Sequence, residues 1–382
     1  MTAPSNAVRL LVAGTEFGGW KSVAIQAGIE RQVRDFDLTI TNNWPGDTDI
    51  PRRVHPGDVC EVFIGDDKVL TGYVDATPIS YDGTSVTVGV RGRSKTADLV
   101  DCAAVNSPGQ WRAAKMERIA SDLAKTYGVE VIAQVDTGAA MTHAIEQGET
   151  VFESIARMLK LRQQLATDDA EGRLVFIEVG STGTAATALE LGENILRCDA
   201  PLDYKDVFTE YVVKGQRPGS DDEFGDTVAA ETATITDDTI ARRRVLIIKQ
   251  GGESTSTSAA DRVRYERAHR KAVALATTYT VTGWRQADGT LWQHNMLVRV
   301  IDPAVGFDDE FVIAEIQYQL SEAGMLCVLK VGPKDGYVNK PAKTKKKARG
   351  EGAADEWSDV RPADGRKVIT NKPTNEWGDV KQ

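Results

Sequence analysis

The chain has 382 residues, carries 46 Lys and Arg against 56 Asp and Glu, and is 41% hydrophobic. This length is sufficient for two to four domains, each with its own core. No stretch approaches the roughly 18 consecutive apolar residues of a membrane span, so the composition excludes an integral membrane protein. Four widely spaced cysteines argue against a disulfide framework or zinc finger and favour a reduced compartment; they are Cys60, Cys102, Cys198 and Cys327.

The negative charge is concentrated before residue 333. Residues 333–382 hold 12 basic and 8 acidic side chains, so residues 1–332 hold 34 basic and 48 acidic ones. With this excess of negative charge, residues 1–332 repel the phosphate backbone of a nucleic acid. General nucleic-acid binding is therefore disfavoured.

Short β-like runs dominate the first hundred residues, and turn residues such as Asp82-Gly83 separate them. Six short strands within about 90 residues favour a small barrel or sandwich. The predicted strands are Val8–Ala13, Val23–Ala27, Phe36–Thr41, Val59–Ile64, Val69–Ala76 and Ser85–Arg91.

The next segment has helical periodicity. Apolar residues at helical spacing predict one helix over Trp111–Tyr127, which Gly128 ends, and a second over Thr150–Leu165. With predicted strands at Val129–Gln134 and Arg173–Val179, this segment forms a compact α+β unit.

The early strand pattern recurs later in the chain. Ile195–Val213 has the layout of Val23–Thr41, namely a short strand, a charged connector and a strand that opens at an aromatic residue. We therefore predict two related β-barrels that superpose with the same strand order, both with an inward-pointing phenylalanine, Phe36 on Phe208. The further predicted equivalents of Val59–Ile64, Val69–Ala76 and Ser85–Arg91 are Leu297–Ile301, Phe311–Tyr318 and Met325–Val331.

This alignment also predicts an inserted domain. Residues 42–58 separate the two strand groups in the first copy, whereas residues 214–296 separate them in the second. The surplus is large enough for a small domain, with a strand at Arg244–Lys249, a charged helix at Ala259–Ala276 and a closing strand at Tyr279–Trp284.

Beyond Gly332 the composition is rich in Lys, Pro, Gly and acidic residues, which predicts a tail that orders only on a partner. The basic stretch Lys343–Arg349 is read as solvated, with a nucleic-acid patch as the alternative. A Glu-Trp-x-Asp-Val motif occurs at 356–360 and again at 376–380. We interpret Trp357 and Trp377 as partner-docking residues, against the alternative of a chance similarity.

Catalytic signatures are largely absent: the chain has no GxSxG, P-loop, GxGxxG after a strand or HExxH. The four histidines are isolated in sequence, and the five Asp-Asp pairs lack the alternating spacing of a calcium loop. We predict no catalytic, cofactor-binding or metal-binding residue. A glycoside hydrolase with paired carboxylates stays open as an alternative, although nothing selects two of the 56 acidic residues. A nucleic-acid module of the OB type is suggested only by the small barrels.

Three stretches, in this order, resemble the baseplate hub proteins of contractile-tailed, Mu-like bacteriophages. The resemblance covers roughly residues 6–335, and its most specific element is GRSKTADLVDC at 92–102. The other elements are GETVFE at 148–153 and YTVTGWR at 279–285, the latter followed by Gly289-Thr290-Leu291-Trp292 and Asn295.

The resemblance implies a non-enzymatic, homotrimeric hub with two barrels per chain, which form a pseudo-six-fold ring between a six-fold tail tube and a three-fold spike. The implied partners are the central spike protein, the tail tube and other baseplate proteins, with DNA only in transit and no membrane insertion. The implied location is the virion baseplate, assembled in the host cytoplasm. Type VI secretion spike proteins share the fold but continue into a long needle, so the length here favours the phage hub. An acidic channel wall would keep DNA from adhering.

The expected fold class is mainly β with α+β insertions. The expected domains are 1–100 (first barrel), 101–180 (α+β), 181–213 with 284–335 (second barrel), 214–283 (inserted α+β) and 336–382 (tail). We expect both α+β domains to lie outside the ring, because a continuous channel leaves no space for them.

Overall fold

The computed structural model describes residues 6–43, 54–83, 85–162, 164–215, 231–249 and 259–337, and these are mainly β. The described residues form two compact units, one drawn from residues 6–207 and 268–337 and the other from residues 208–267. None of the helices in these ranges is long and apolar enough to cross a membrane.

The strands predicted in the first hundred residues are present. Burial alternates along the first strand and most of the third, as expected of strands with one face on a core. The structure adds two short strands, the second and the seventh. The bounds are β1 Val8–Val12, β2 Thr15–Phe17, β3 Ser22–Gly28, β4 Asp35–Asn43, β5 Val59–Ile64, β6 Asp67–Ala76, β7 Ile79–Tyr81 and β8 Ser85–Ser94.

The α+β segment follows. Its elements are α1 Ala97–Asp101, β9 Gln110–Ala114, α2 Met116–Ala124, β10 Val131–Ala133, β11 Met141–Ala144, α3 Val151–Arg162, β12 Leu165–Asp168 and β13 Leu174–Ile177. Both predicted helices exist, and a left-handed Gly128 (φ +67°) ends the short 3-10 turn after α2. The predicted start at Trp111 is wrong: Trp111 pairs with His143 in a two-stranded sheet, and the extended backbone of Lys115 delays the helix to Met116.

The remaining elements complete the chain. They are β14 Gly183–Thr184, β15 Leu189–Glu190, β16 Ile195–Asp199, β17 Glu210–Gly215, β18 Glu231–Thr236, β19 Val245–Lys249, α4 Ala259–Leu275, β20 Thr277–Thr282, β21 Met296–Asp302, β22 Phe307–Ser321 and β23 Gly324–Pro333.

One fifteen-stranded sheet dominates the first unit, with the main order β16-β20-β23-β22-β3-β4-β8-β6-β5-β1-β2. The join in its middle is the antiparallel pair β22–β3, in which Leu320 lies opposite Val23 and Tyr318 opposite Ile25. Strands on both sides of this join contribute to a single hydrophobic core.

The sheet contains the same arrangement twice. The order β3-β4-β8-β6-β5 recurs as β16-β20-β23-β22-β21, with every neighbouring pair antiparallel. A bulge also recurs at one place: between Val74 and Ala76 on β6, and between Ile313 and Glu315 on β22. The strand order therefore repeats within the chain, as the sequence pattern predicts.

The predicted partner of the Phe36 strand is wrong. The strand that follows Phe208 is β17, and it pairs with β18 and β19 in a separate sheet instead of the main one. The equivalent of β4 is β20, where Thr277, opposite Val331, takes the place of Phe36 opposite Gly92. The sequence pattern found a strand after an aromatic residue but carried no information on which sheet it joins.

Two further corrections follow. The strand predicted at Tyr279–Trp284 to close the inserted domain is β20 of the main sheet. The insertion therefore lies between the first and second strands of the repeat, β16 and β20, and not between the second and third. The predicted alignment of Val69–Ala76 with Phe311–Tyr318 is shifted by three residues, because the shared bulge places Val74 on Ile313.

The second unit has its own small sheet of order β18-β17-β19. Buried Tyr211 and Val213 on β17 pack with Ala259 and Val263 at the start of α4. Phe208 is half-buried here, in an edge contact with Tyr211 and beneath the Arg244 guanidinium.

Candidate functional site

The two residues that the sequence analysis selected for partner docking, Trp357 and Trp377, lie outside the described residues. The residues that carry the family resemblance are described, and some of them, among them Arg285 and Asn295, lie where three segments of the first unit meet. We call this place the three-segment junction: it joins strands β3–β8, the α+β segment at 97–179, and the second half of the sheet with its preceding linker.

Arg34 and Asp168 form the most buried ion pair of the junction. The Arg34 Nε donates to Asp168 Oδ1 at 3.2 Å, and the Arg34 backbone N–H donates to Oδ2 at 3.0 Å. The Asp168 side chain is only 1% exposed, and this burial raises its pKa, while the Arg34 charge opposes the rise. Arg34 Nη1 also donates to the Val69 carbonyl at 3.0 Å, so one side chain joins the first strands to the α+β segment.

Asn295 connects the α+β segment to the second half of the sheet. It has a left-handed backbone (φ +64°), which asparagine tolerates better than most residues. Its amide donates to the Glu178 carbonyl and the Ser181 hydroxyl, both at 3.0 Å, and its Oδ1 accepts the Gly180 N–H at 2.7 Å. One side chain thus fixes the linker that enters the second half.

Arg285 connects the two halves of the sheet directly. Its guanidinium donates to Asp67 Oδ2 at 2.7 Å, to the Ile64 carbonyl at 3.1 Å and to Asn6 Oδ1 at 2.9 Å. The Arg285 side chain is 10% exposed, whereas its ion-pair partner Asp67 is 52% exposed, so water reaches the ion pair from the Asp67 side.

The GRSKTADLVDC stretch ties β8 to α1. Arg93 donates to Asp75 at 2.6 Å and to Asp101 at 2.7 Å, and these hydrogen bonds raise the pKa of its guanidinium. The buried hydroxyls of Ser94 and Thr96 are 2.7 Å apart. The motif holds the α+β segment against the first strands, and no substrate pocket is needed to explain it.

A cavity of about 520 Å³ lies within the junction. His294 lines it and is 9% exposed; burial, with a contribution from the Arg34 charge, lowers the pKa of His294 to about 3. The imidazole is therefore neutral at physiological pH.

The acidic residues around this cavity are matched by basic ones. Asp67 pairs with Arg285, Asp168 with Arg34, Asp169 with Arg173 and Glu171 with Lys68. Paired carboxylates of this kind are structural ion pairs and do not supply the acid and nucleophile that glycoside hydrolysis needs. Within the described ranges no cluster of three or more His, Cys, Asp or Glu side chains could hold a metal ion.

The structure also exposes two strands that the sequence analysis did not single out. On β7, Ile79 is 53% exposed and Tyr81 is 75% exposed; on β16, Leu196 is 59% exposed. Among the described residues, β7 pairs only with β8, and β16 pairs only with β20. Exposed apolar strand edges of this kind are frequent sites of strand pairing between molecules.

Comparison with known proteins identifies the family. The chain is 34% identical over 344 residues to the baseplate hub protein gp44 of Escherichia phage Mu, which covers 87% of this chain and 89% of that protein. The chain belongs to the Mu-type baseplate hub family. Members of this family are phage baseplate and tail components, not enzymes.

Three domain families match separate parts of this Mu-type hub chain. The N-terminal domain of GpP-like Mu phage baseplate assembly proteins matches residues 7–94. The second domain of gp44-like baseplate hub proteins matches residues 96–178, and the fourth domain of the Mu phage baseplate assembly protein GpP matches residues 255–340.

Solved structures agree with the Mu-type hub assignment. The 43 kDa tail protein of prophage MuSo2 from Shewanella oneidensis is 34% identical, with a TM-score of 0.78, and the match covers 88% of this chain and all of that one. The E. coli c3393 protein, a type VI secretion component, shares the fold at 12% identity, with a TM-score of 0.54 over 87% of this chain and 79% of that one.

Sequence reasoning found some junction residues and missed others. Arg285 and Asn295 lie in the stretches that carried the resemblance, so motif reading located them. Arg34 and Asp168 are 134 positions apart and belong to no motif, so no local pattern could have paired them.

Proposed function

We propose that this chain is the structural hub of a contractile phage tail baseplate, a trimeric adaptor that joins the six-fold tail tube to the three-fold spike. The repeated strand order within one chain carries the proposal. Three chains with two copies each present six similar sheet segments, so one ring can match both a six-fold and a three-fold neighbour.

The proposed domain division follows the sequence analysis, with the strands reassigned. Residues 1–100 form the first barrel, residues 101–180 the α+β domain, and residues 181–207 with 277–335 the second barrel. The insertion spans residues 208–267. The tail is proposed to begin at residue 338 and not at 336, because Tyr337 is buried against the first unit. Both α+β domains are proposed to lie outside the ring, because a continuous channel leaves no space for them and insertions are best accepted on outer surfaces.

The ring surrounds a channel through which DNA passes without lasting contact. The excess of acidic over basic residues before position 333 supports this, since like charge along the wall prevents phosphate from adhering. The partners are two further copies of the chain, the spike, the tail tube and other baseplate proteins, and assembly occurs in the host cytoplasm. Trp357 and Trp377 in the tail dock on a partner such as the spike.

The mass of the purified protein in solution tests the proposal. A hub has three times the chain mass of 41.5 kDa, and negative-stain images of the particle show a ring with a central opening. A stable monomer at micromolar concentration, or a trimer without an opening, would contradict the adaptor role.

A further inference from the structure

We propose that neighbouring copies of this chain join by antiparallel pairing between β7 of one copy and β16 of the next. This inference rests on the proposed trimeric ring and adds the surface that closes it. The occupant of each exposed edge is thus a second copy of the same chain.

The join inside the chain supplies the template. There, β22 of the second half pairs with β3 of the first, from Glu315 opposite Gly28 to Leu320 opposite Val23. Cross-strand apolar pairs such as Tyr318 with Ile25 face the shared core. A ring built from repeated halves reuses one kind of join between successive halves, within a chain and between chains.

The shared bulge fixes which residues on β7 are equivalent to those on β22. With Val74 placed on Ile313, Ile79 takes the position of Tyr318 and Tyr81 that of Leu320. The partner strands agree, because Ile79 pairs with Val88 as Tyr318 pairs with Cys327.

On the other side of the join, β16 is equivalent to β3. Val23 lies opposite Leu38 on β4, and Cys198 lies opposite Tyr279, which occupies the position of Leu38 on β20. Cys198 therefore takes the position of Val23. The template register then places Tyr81 of one copy opposite Cys198 of the next.

The two edges are suited to each other. The internal strands β22 and β3 have strand partners on both edges, whereas β7 and β16 each have one within the described part of the chain. Their exposed side chains include the apolar Ile79 and Leu196. The same register places Asp82 opposite Arg197, an attractive pair at the end of the contact.

Such an interface is head-to-tail, since a copy offers β7 to one neighbour and β16 to the other. Head-to-tail contacts form rings when the rotation closes. The strand pairing is short, so it sets the register of the contact while flanking surfaces add area.

Cysteine cross-linking tests the register. Directly opposite residues in antiparallel strands have Cα atoms about 4.5–5.5 Å apart, within the range that a disulfide spans. Tyr81→Cys should therefore cross-link to the native Cys198 when oxidised glutathione accepts the two thiol hydrogens. We expect covalent dimers and trimers on non-reducing gels, at least tenfold above wild type, that reductant abolishes.

Two controls define the result. Tyr81→Cys combined with Cys198→Ser should give no cross-link. Ser80→Cys, one residue out of register with Cys198, points its thiol to the opposite face and should cross-link at least tenfold less. Equal cross-linking of the Ser80 and Tyr81 variants would overturn the proposed register.

A second substitution tests the proposed β7–β16 interface without a covalent cross-link. Ile79→Lys should raise the trimer dissociation constant at least tenfold, whereas Ile247→Lys, at a similarly exposed position (58%) on β19, should leave it within twofold. If the wild type is a trimer and neither the cross-link nor the Ile79→Lys effect occurs, this interface is wrong and the hub proposal stands. If the wild type is a monomer, both fail.

Discussion

The ring of Phe36 lies against Gly92 on the neighbouring strand and occupies the space that a side chain at position 92 would need. A Cβ added there would come within 2.7 Å of two ring atoms and still closer to the Tyr73 carbonyl oxygen. The glycine that opens the GRSKTADLVDC stretch is thus required by packing, since Phe36 is 2% exposed and cannot easily move.

Gly92→Ala should destabilise the protein by about 2–3 kcal/mol, because the overpacked core must shift ring or backbone. Denaturant unfolding measures this loss. Gly18→Ala is the matched control: its added Cβ meets only the Val8 carbonyl oxygen at 3.7 Å, so a change within about 0.5 kcal/mol is expected. Equal losses for the two variants would refute the packing argument.

Arg285→Ala should cost about 2–3 kcal/mol, because it leaves the Ile64 carbonyl and the Asp67 carboxylate without the guanidinium that joins the two halves. The estimate is at the lower end for a broken ion pair since Asp67 is 52% exposed. Arg299→Ala is the control, because its pair with Asp308 is exposed on both sides and should contribute less than about 1 kcal/mol. Thermal unfolding of the two variants in the same buffer separates them.

Stability should fall with decreasing pH in a way that depends on His294. Its pKa is about 3 when folded and 6.5 when exposed, so the unfolded chain binds the extra proton between these values. The free energy of unfolding then drops by up to about 1.4 kcal/mol per pH unit below pH 6.5. His294→Gln should reduce that slope.

The raised pKa of Asp168 acts in the opposite sense. Because this carboxyl group binds a proton more readily in the folded state, its contribution to the free energy of unfolding falls as pH rises. Comparing His294→Gln with wild type cancels that contribution. Identical slopes for the two proteins would show that His294 is not protonated on unfolding.

Replacing both Trp357 and Trp377 with Ala should leave the proposed trimer intact and weaken attachment of the proposed partner. Aromatic anchors bury large areas, so loss of two should reduce affinity at least tenfold. Co-sedimentation with purified spike measures the change, and each single variant should be intermediate if the two motifs occupy similar pockets. Unchanged assembly of hub, spike and tube would show that the repeated motif is incidental.

Local chemistry explains why the strands could be predicted. Short β-like runs bounded by turn residues predicted β3, β5 and β8 to within a few residues. Gly128 was correctly predicted to end the helical stretch. Strand partners could not be predicted in the same way, because pairing depends on residues far apart in sequence. Phe208 shows this clearly: its strand has the right pattern but joins another sheet.

The junction illustrates the same limit. Arg285 and Asn295 were visible because they sit in motif-rich stretches, whereas the contact of Arg34 with Asp168 arises only when the α+β segment folds against the first strands. The register of the repeat depended on a bulge, which leaves no periodic signal in the sequence. Because the bulge that identifies equivalent residues in the two copies cannot be read from the sequence, a comparison of strand patterns alone misplaced the alignment by three residues.

The insertion between β16 and β20 has a counterpart in the first half that consists only of residues 29–34. In the proposed ring of three chains, three of the six sheet segments therefore carry this insertion, while the strand order itself repeats six times. A partner protein that contacts only the strands meets six near-equivalent positions and can bind in any of six rotational orientations. A neighbour that contacts the inserted unit meets three equivalent positions, so a single insertion gives the proposed ring three-fold contacts in addition to six-fold ones.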